Sequence, residues 1–408
     1  MNITLVAENN GLCTEKIQNA INDICASGGG ILTLSGGEFL SGSIELKSNL
    51  CFCLEAGATL KASGDIENFA HIGFYHNEMK TTRSLLWARD AYNITICGDG
   101  VIDFGDENYY DFDNILPFDF DISTLTKEEL GECVVAKKNS VQNTINQPIF
   151  FESCKNIKIR DINLFHSTFW TITFSRCKDA LVTGVNIENR FATGNSDGIH
   201  ISASKNIIIS DCNIKAGDDC VAITCITDEQ GISENITVSN CNFESSSAGI
   251  RIGHLYSKVK NVCISNINIT NSNRGIAIFA KDDGYISNIS ISDININTRI
   301  LYGAWWGKGE PIVICAANSN GVIENVHFKN IFAKSENGIV IAGQNNNIKD
   351  ISISDMKLSL IESKKWQILG NRLDIMPNSF DTVLFDKPFY KYVDNADVSF
   401  NNFTTVKI

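Results

Sequence analysis

The chain has 408 residues, 43% of them hydrophobic and 20% charged, a balance that builds a large buried core and excludes a disordered chain. Its net charge of -13 argues against nucleic acid as a partner, since phosphate binding needs clustered Lys and Arg. It leaves room for an acidic glycan, because a few cations in a groove override the net field locally.

From the N-terminus, Met1–Glu8 shows no basic stretch leading into a long apolar run, and no later segment is long enough to span a bilayer. The expectation is a cytoplasmic protein. Residues 14–27 carry Ile17, Ala20, Ile21, Ile24 and Cys25 at helical spacing, with Thr14 as the expected N-cap and Gly28-Gly29-Gly30 as the stop. A helix there would cap an open-ended body. The short runs Ile31–Leu34, Ser43–Leu46, Leu50–Leu54 and Ala58–Leu60 then read as strands between Gly and Asn turns.

Residues 62–150 are less regular. Asn93–Ile96 and Val101–Asp103 read as strands, and 109–132 as a long acidic, aromatic loop whose Tyr109, Tyr110, Phe112 and Phe118 either line a groove or cover the core. From there a repeat dominates. Asn156, Asp179, Asn206, Asn235, Asn261, Asn288, Asn325 and Asp350 open successive copies spaced 23, 27, 29, 26, 27, 37 and 25 residues apart, in the range of stacked architectures. Six residues after each opener stands Ile162, Val185, Cys212, Cys241, Ile267, Ile294, Ile331 or Met356, an inward column preceded by a turn-prone residue.

Three short strands per copy, with alternating β-branched residues, predict a single-domain right-handed parallel β-helix over residues 1–408, with clear coils at about 150–360 and residues 361–408 as a tail packing on the body. A leucine-rich repeat lacks its Leu ladder here. The fourteen cysteines are scattered, and Cys212 and Cys241 fall in the inward column, so they read as reduced core thiols. Cys51-x-Cys53 lacks the second pair that a zinc site needs.

Four fragments superpose on the repeat: Ser196–Ile201, Asp218–Ile223, Ser247–Ile252 and Asn273–Ile278. Asp197, Asp219, Ala248 and Arg274 then form one column, with Asp218 beside it. Neighbouring rungs lie roughly 4.8 Å apart, so three carboxylates crowd one groove and one should retain a proton. An acid beside bases suits glycoside hydrolysis. Clustered carboxylates also suit a calcium site, and a turn ladder of Asp and Asn explains Asp161 and Asp293 without any function. No cation adjoins Asp218 or Asp219 in the sequence.

Asn195-Ser196-Asp197 and Gly217-Asp218-Asp219, with 21 residues from Asp197 to Asp218, resemble the Asn-Thr-Asp and Gly-Asp-Asp motifs of glycoside hydrolase family 28, the polygalacturonase-like enzymes. The likeness extends to about Asp355. It implies an inverting hydrolase with Asp218 as general acid and Asp197 and Asp219 holding the water, acting on an oligosaccharide without metal or other cofactor. Two motifs depart from the family: Ala248 stands where its histidine belongs, and Ala277 and Phe279 replace the arginine and lysine thought to hold a galacturonate carboxylate.

Other residues offer replacements. Arg251 shares an outward column with Ala277 and with His200, and Arg274 tops the carboxylate column, either touching substrate or pairing with Asp219. The insertion between Asn288 and Asn325 adds Trp305, Trp306, Lys308 and Glu310 as sugar contacts, while Trp170 fits either core or subsite. A loop closing one end of the groove favours removal of terminal sugars from pectin-derived oligosaccharides, with release of a non-uronic sugar such as rhamnose as an alternative. A β-helix lyase or epimerase and a non-catalytic glycan-binding solenoid are the readings from other classes.

Overall fold

Each coil turns on an Asn or Asp whose backbone lies in the left-handed region. The eight openers, Asn156 to Asp350, have φ between 51° and 60°, and the residues before the inward column, Asp161 to Asp355, have φ between 53° and 64°. Short polar side chains and glycine tolerate this conformation best. The side chains at these turns also tie the rungs together. Asn206 Nδ2 donates to Asp179 Oδ1 at 2.8 Å, Asn235 to Asn206 at 3.1 Å, Asn261 to Asn235 at 3.1 Å and Asn288 to Asn261 at 3.0 Å.

The structure, a computed structural model, describes all residues except 9–10, 73–81, 116–135, 139–143, 227, 229, 302–306, 318, 364, 366–371, 375–381 and 385–388, with backbone alone at 114–115, 136–138, 372–374 and 382–384. The fold is a right-handed parallel β-helix. The inward column holds its register: Cys241 pairs with Ile267, Ile267 with Ile294, Ile294 with Ile331 and Ile331 with Met356. All are at most 1% exposed, within one apolar core running from Ile17 to Leu358. Each of these side chains meets its like one coil away, so burial and register reinforce one another.

The N-terminal helix spans Thr14–Ala26 and buries Ile17, Ala20, Ile21 and Ile24 against the first coils. Its N-cap is Cys13, not Thr14. The Thr14 hydroxyl instead accepts from Gly42 N at 2.8 Å, fastening the helix to the coil below it. At the other end, residues expected as a tail complete a further rung: Lys391–Asp394 pairs with Ile339–Ala342, and Ala396–Lys407 with Ile348–Leu360.

The face that carries the site is an eleven-stranded parallel sheet. Its central strands are Ile172–Ser175, Ile199–Ser202, Val221–Thr224, Ala248–Ile252, Arg274–Phe279 and Ile312–Cys315. Ile199, Val221, Ile250 and Ile276 point into the core in register. The alternate positions Thr173, His200, Ala222, Arg251 and Ala277 form the outward column.

Candidate active site

The turns that open three successive strands of this sheet carry the carboxylates. Gly198 N donates to Asp219 O and Cys220 N to Ala248 O, at 2.9 and 3.1 Å, so Asp197, Asp219 and Ala248 stand on consecutive rungs; Ala248 pairs in turn with Arg274. The expected column is therefore real. Its turns are rigid: Ser196 Oγ donates to Thr193 O at 2.7 Å and accepts from Gly217 N at 3.0 Å, while Ser246 Oγ donates to Gly217 O at 2.6 Å. A Cβ on Gly217 would lie 2.1 Å from Thr193 O, so only glycine lets the two turns approach this closely.

Asp197 and Asp219 are 0% and 1% exposed, and Asp218 is 8% exposed, the most open of the three. Asn195 Nδ2 stands 3.5 Å from Asp218 Oδ2. Asp219 Oδ1 accepts from Ser247 Oγ at 3.1 Å and Ala248 N at 3.2 Å, and its Oδ2 accepts from Arg251 Nε. Asp197 Oδ2 lies 2.9 Å from His200 Nδ1 and 3.9 Å from Arg251 Nη2. A cation from a later rung thus adjoins Asp197 and Asp219, although none is their neighbour in the sequence. Burial works to lower the Arg251 pKa, but the charges of Asp219, Asp197 and Asp218 outweigh it and hold the guanidinium above its ordinary value.

Other candidates sort differently. His200 Nε2 is 3.0 Å from Thr224 Oγ1, and the Trp170 ring stacks on the imidazole with centroids 3.7 Å apart. Both rings are at most 2% exposed, so Trp170 is packing that fixes the His200 plane. Arg274 is 1% exposed; its Nε is 3.4 Å from Glu310 Oε2, and its guanidinium lies 5.7 Å from the Phe279 ring. Glu310 is therefore a carboxylate partner of Arg274 that the sequence, which offers substrate or Asp219, does not name. Glu310 is itself fully buried and accepts from Lys308 N at 2.7 Å. Trp305 and Trp306, expected as sugar platforms, lie outside the described residues, as does Phe118.

Tyr109 and Tyr110 are core residues, at most 5% exposed, donating to Ser63 O at 3.0 Å and to Thr168 O at 3.0 Å. Beneath them lies a carboxylate with no counterpart in the repeat. Asp106 is fully buried, accepts from Thr193 Oγ1 at 2.9 Å and has Arg190 Nη1 at 3.3 Å. Burial pushes its pKa up to about 6, with Arg190, Thr193 and His166 opposing. It braces the loop that leads to Asp197. Among the described residues, no group of three or more His, Cys, Asp or Glu is placed to hold a metal ion.

A family model described as "Glycosyl hydrolases family 28" matches residues 130–373, more than half of the chain. The endo-polygalacturonase of Pectobacterium carotovorum subsp. carotovorum is 25% identical over 377 residues, covering 90% of this chain and 88% of that protein. A polygalacturonase of Chamaecyparis obtusa is 27% identical over 250 residues, which is 57% of this chain and 47% of its own length. The match thus spans about half of that relative. Among solved structures, an exopolygalacturonase from Thermotoga maritima superposes with a TM-score of 0.74 at 22% identity, over 99% of this chain and 91% of that one. The polygalacturonase from Erwinia carotovora ssp. carotovora gives 0.69 at 21% identity, over 97% and 96%. At these identities the structural likeness speaks to the fold.

Proposed function

The chain belongs to glycosyl hydrolase family 28, and from that premise we propose that it is an inverting, exo-acting hydrolase of pectin-derived oligosaccharides. Asp218 is the general acid, and Asp197 and Asp219 activate the water. The observation that carries this reading is the differing environment of the three carboxylates. Arg251 lies directly against Asp219 and within 3.9 Å of Asp197, whereas Asp218 is the most exposed of the three. Asp218 protonates the departing glycosidic oxygen while a water held by Asp197 and Asp219 attacks the opposite face of the anomeric carbon and gives up its proton to that pair.

The exo mode is supported by the insertion. Its Lys308 and Glu310 fold against Arg274 at one end of the carboxylate column, where they would limit how far a polymer extends. A second reading, release of a non-uronic sugar, is favoured by Ala277 and Phe279. They stand where the family resemblance places a cation pair, and both are fully buried.

The test is product analysis by proton NMR on oligogalacturonides and rhamnogalacturonan oligosaccharides, alongside Asp218→Asn. One terminal sugar should leave with inverted anomeric configuration, and the variant should be inactive. An unsaturated product, or undiminished turnover by Asp218→Asn, would sink the assignment.

A further inference from the structure

Arg251 stands in the outward column between Ala222 and Ala277. Both alanines are fully buried and carry only a methyl group, so nothing in the column stops a long side chain from leaning along it. Arg251 leans toward the earlier rungs. Its Nε donates to Asp219 Oδ2, and its Nη2 reaches to 3.9 Å from Asp197 Oδ2, a carboxylate one rung further on. One guanidinium therefore spans two carboxylates on two rungs, and it does so at 9% exposure.

The rest of the pair is held as firmly. Ser247 and Ala248 N fix the other oxygen of Asp219, and His200, pinned between Thr224 and Trp170, adjoins Asp197. Ala248 itself contributes only a backbone donor. Two buried anions on neighbouring rungs repel, and a planar fork with several donors can satisfy both at once where a point charge cannot.

We propose that Arg251 is a positioning residue: it sets the separation and orientation of Asp197 and Asp219 and does not bind substrate. This rests on the reading that those two carboxylates activate the water. Binding energy spent on the carboxylates is felt in the chemical step, so the loss should fall on kcat and not on KM.

The test compares Arg251→Gln, Arg251→Lys and Arg251→Gln/Asp219→Asn with the full-length enzyme, using the oligosaccharide that the wild type turns over. Arg251→Gln should lower kcat about a hundredfold while KM stays within about twofold, and Arg251→Lys, with charge but no fork, should recover only part of it. Thermal unfolding supplies an arm that needs no turnover. Arg251→Gln strands Asp219 buried beside an uncharged neighbour and should melt below the wild type, whereas the double variant, which removes both charges, should melt above Arg251→Gln.

A rise in KM at constant kcat would make Arg251 a substrate contact and overturn the proposal. So would a double variant that melts no higher than Arg251→Gln. If the wild type turns over nothing on the panel, the hydrolase reading fails on its own account, and the melting comparison still decides whether the clamp exists.

Discussion

Replacing Asp106 by Asn should change how stability depends on pH. Asp106 is fully buried, and burial raises its pKa from 3.8 to about 6 despite Arg190, Thr193 and His166. Between those values the unfolded chain has released the proton and the folded chain has kept it, so raising the pH through this window favours unfolding. The shift corresponds to ~3 kcal/mol of stability present below about pH 4 and lost by about pH 6.5.

Asn at this position keeps an acceptor for the Thr193 hydroxyl and has no proton to lose. The pairing with Arg190 forms only as Asp106 ionises and is already contained in the net shift, so it adds no further pH dependence. His166, whose pKa is raised first by its hydrogen bond to Asp103 and less by the charge of Asp106, titrates in both proteins, so only the smaller Asp106 contribution separates them. Urea midpoints measured across the window should therefore show Asp106→Asn gaining ~3 kcal/mol on the wild type from about pH 4 to about pH 6.5, then holding level. A difference that stays flat, or that shrinks as pH rises, would refute the reasoning.

Two further substitutions probe the turns. Gly217→Ala places a methyl 2.1 Å from Thr193 O and 2.6 Å from Arg190 O, so the Asp218 turn must shift; kcat should fall at least about tenfold with the circular dichroism spectrum unchanged, and full activity would show the turn to be more tolerant than its geometry implies. Asn261, at φ 57°, donates to Asn235 and accepts from Asn288. Asn261→Ala should lose ~2 kcal/mol by urea unfolding and Asn261→Gly about 1 kcal/mol less than that, because glycine tolerates the left-handed turn; equal losses would mean that the ladder bonds, not the backbone, set the cost.

The repeat was legible because a coil stacks like on like: Cys212, Cys241 and Ile267 recur at one position, and each must fill the same slot in the core. The carboxylate column followed from the same register. What register cannot tell is which way a long side chain leans. Arg251 and Arg274 were both placed beside the column, yet the methyls of Ala222 and Ala277 free Arg251 to reach Asp219, while Glu310, from the one coil whose spacing breaks to 37 residues, draws Arg274 aside. Asp106 lies where there is no repeat to reveal it. The last rung did leave a trace: Phe403 aligns with Met356, but the 47-residue gap hides it, and the register shifts between Ile348 and Ile351.

The stacked turns act as a graduated scale. Positions in a column come only in steps of roughly 4.8 Å, so a coil cannot move its carboxylate by a fraction of a step without breaking the sheet's hydrogen bonds. Chemistry at an anomeric carbon needs finer placement than that. In this fold the fine adjustment falls to side-chain length and to what the neighbours leave open. An arginine flanked by two alanines can be swapped, shortened or re-aimed by single substitutions, which makes the outward column, and not the turns, the place where a new bond or sugar can be accommodated without rebuilding a coil.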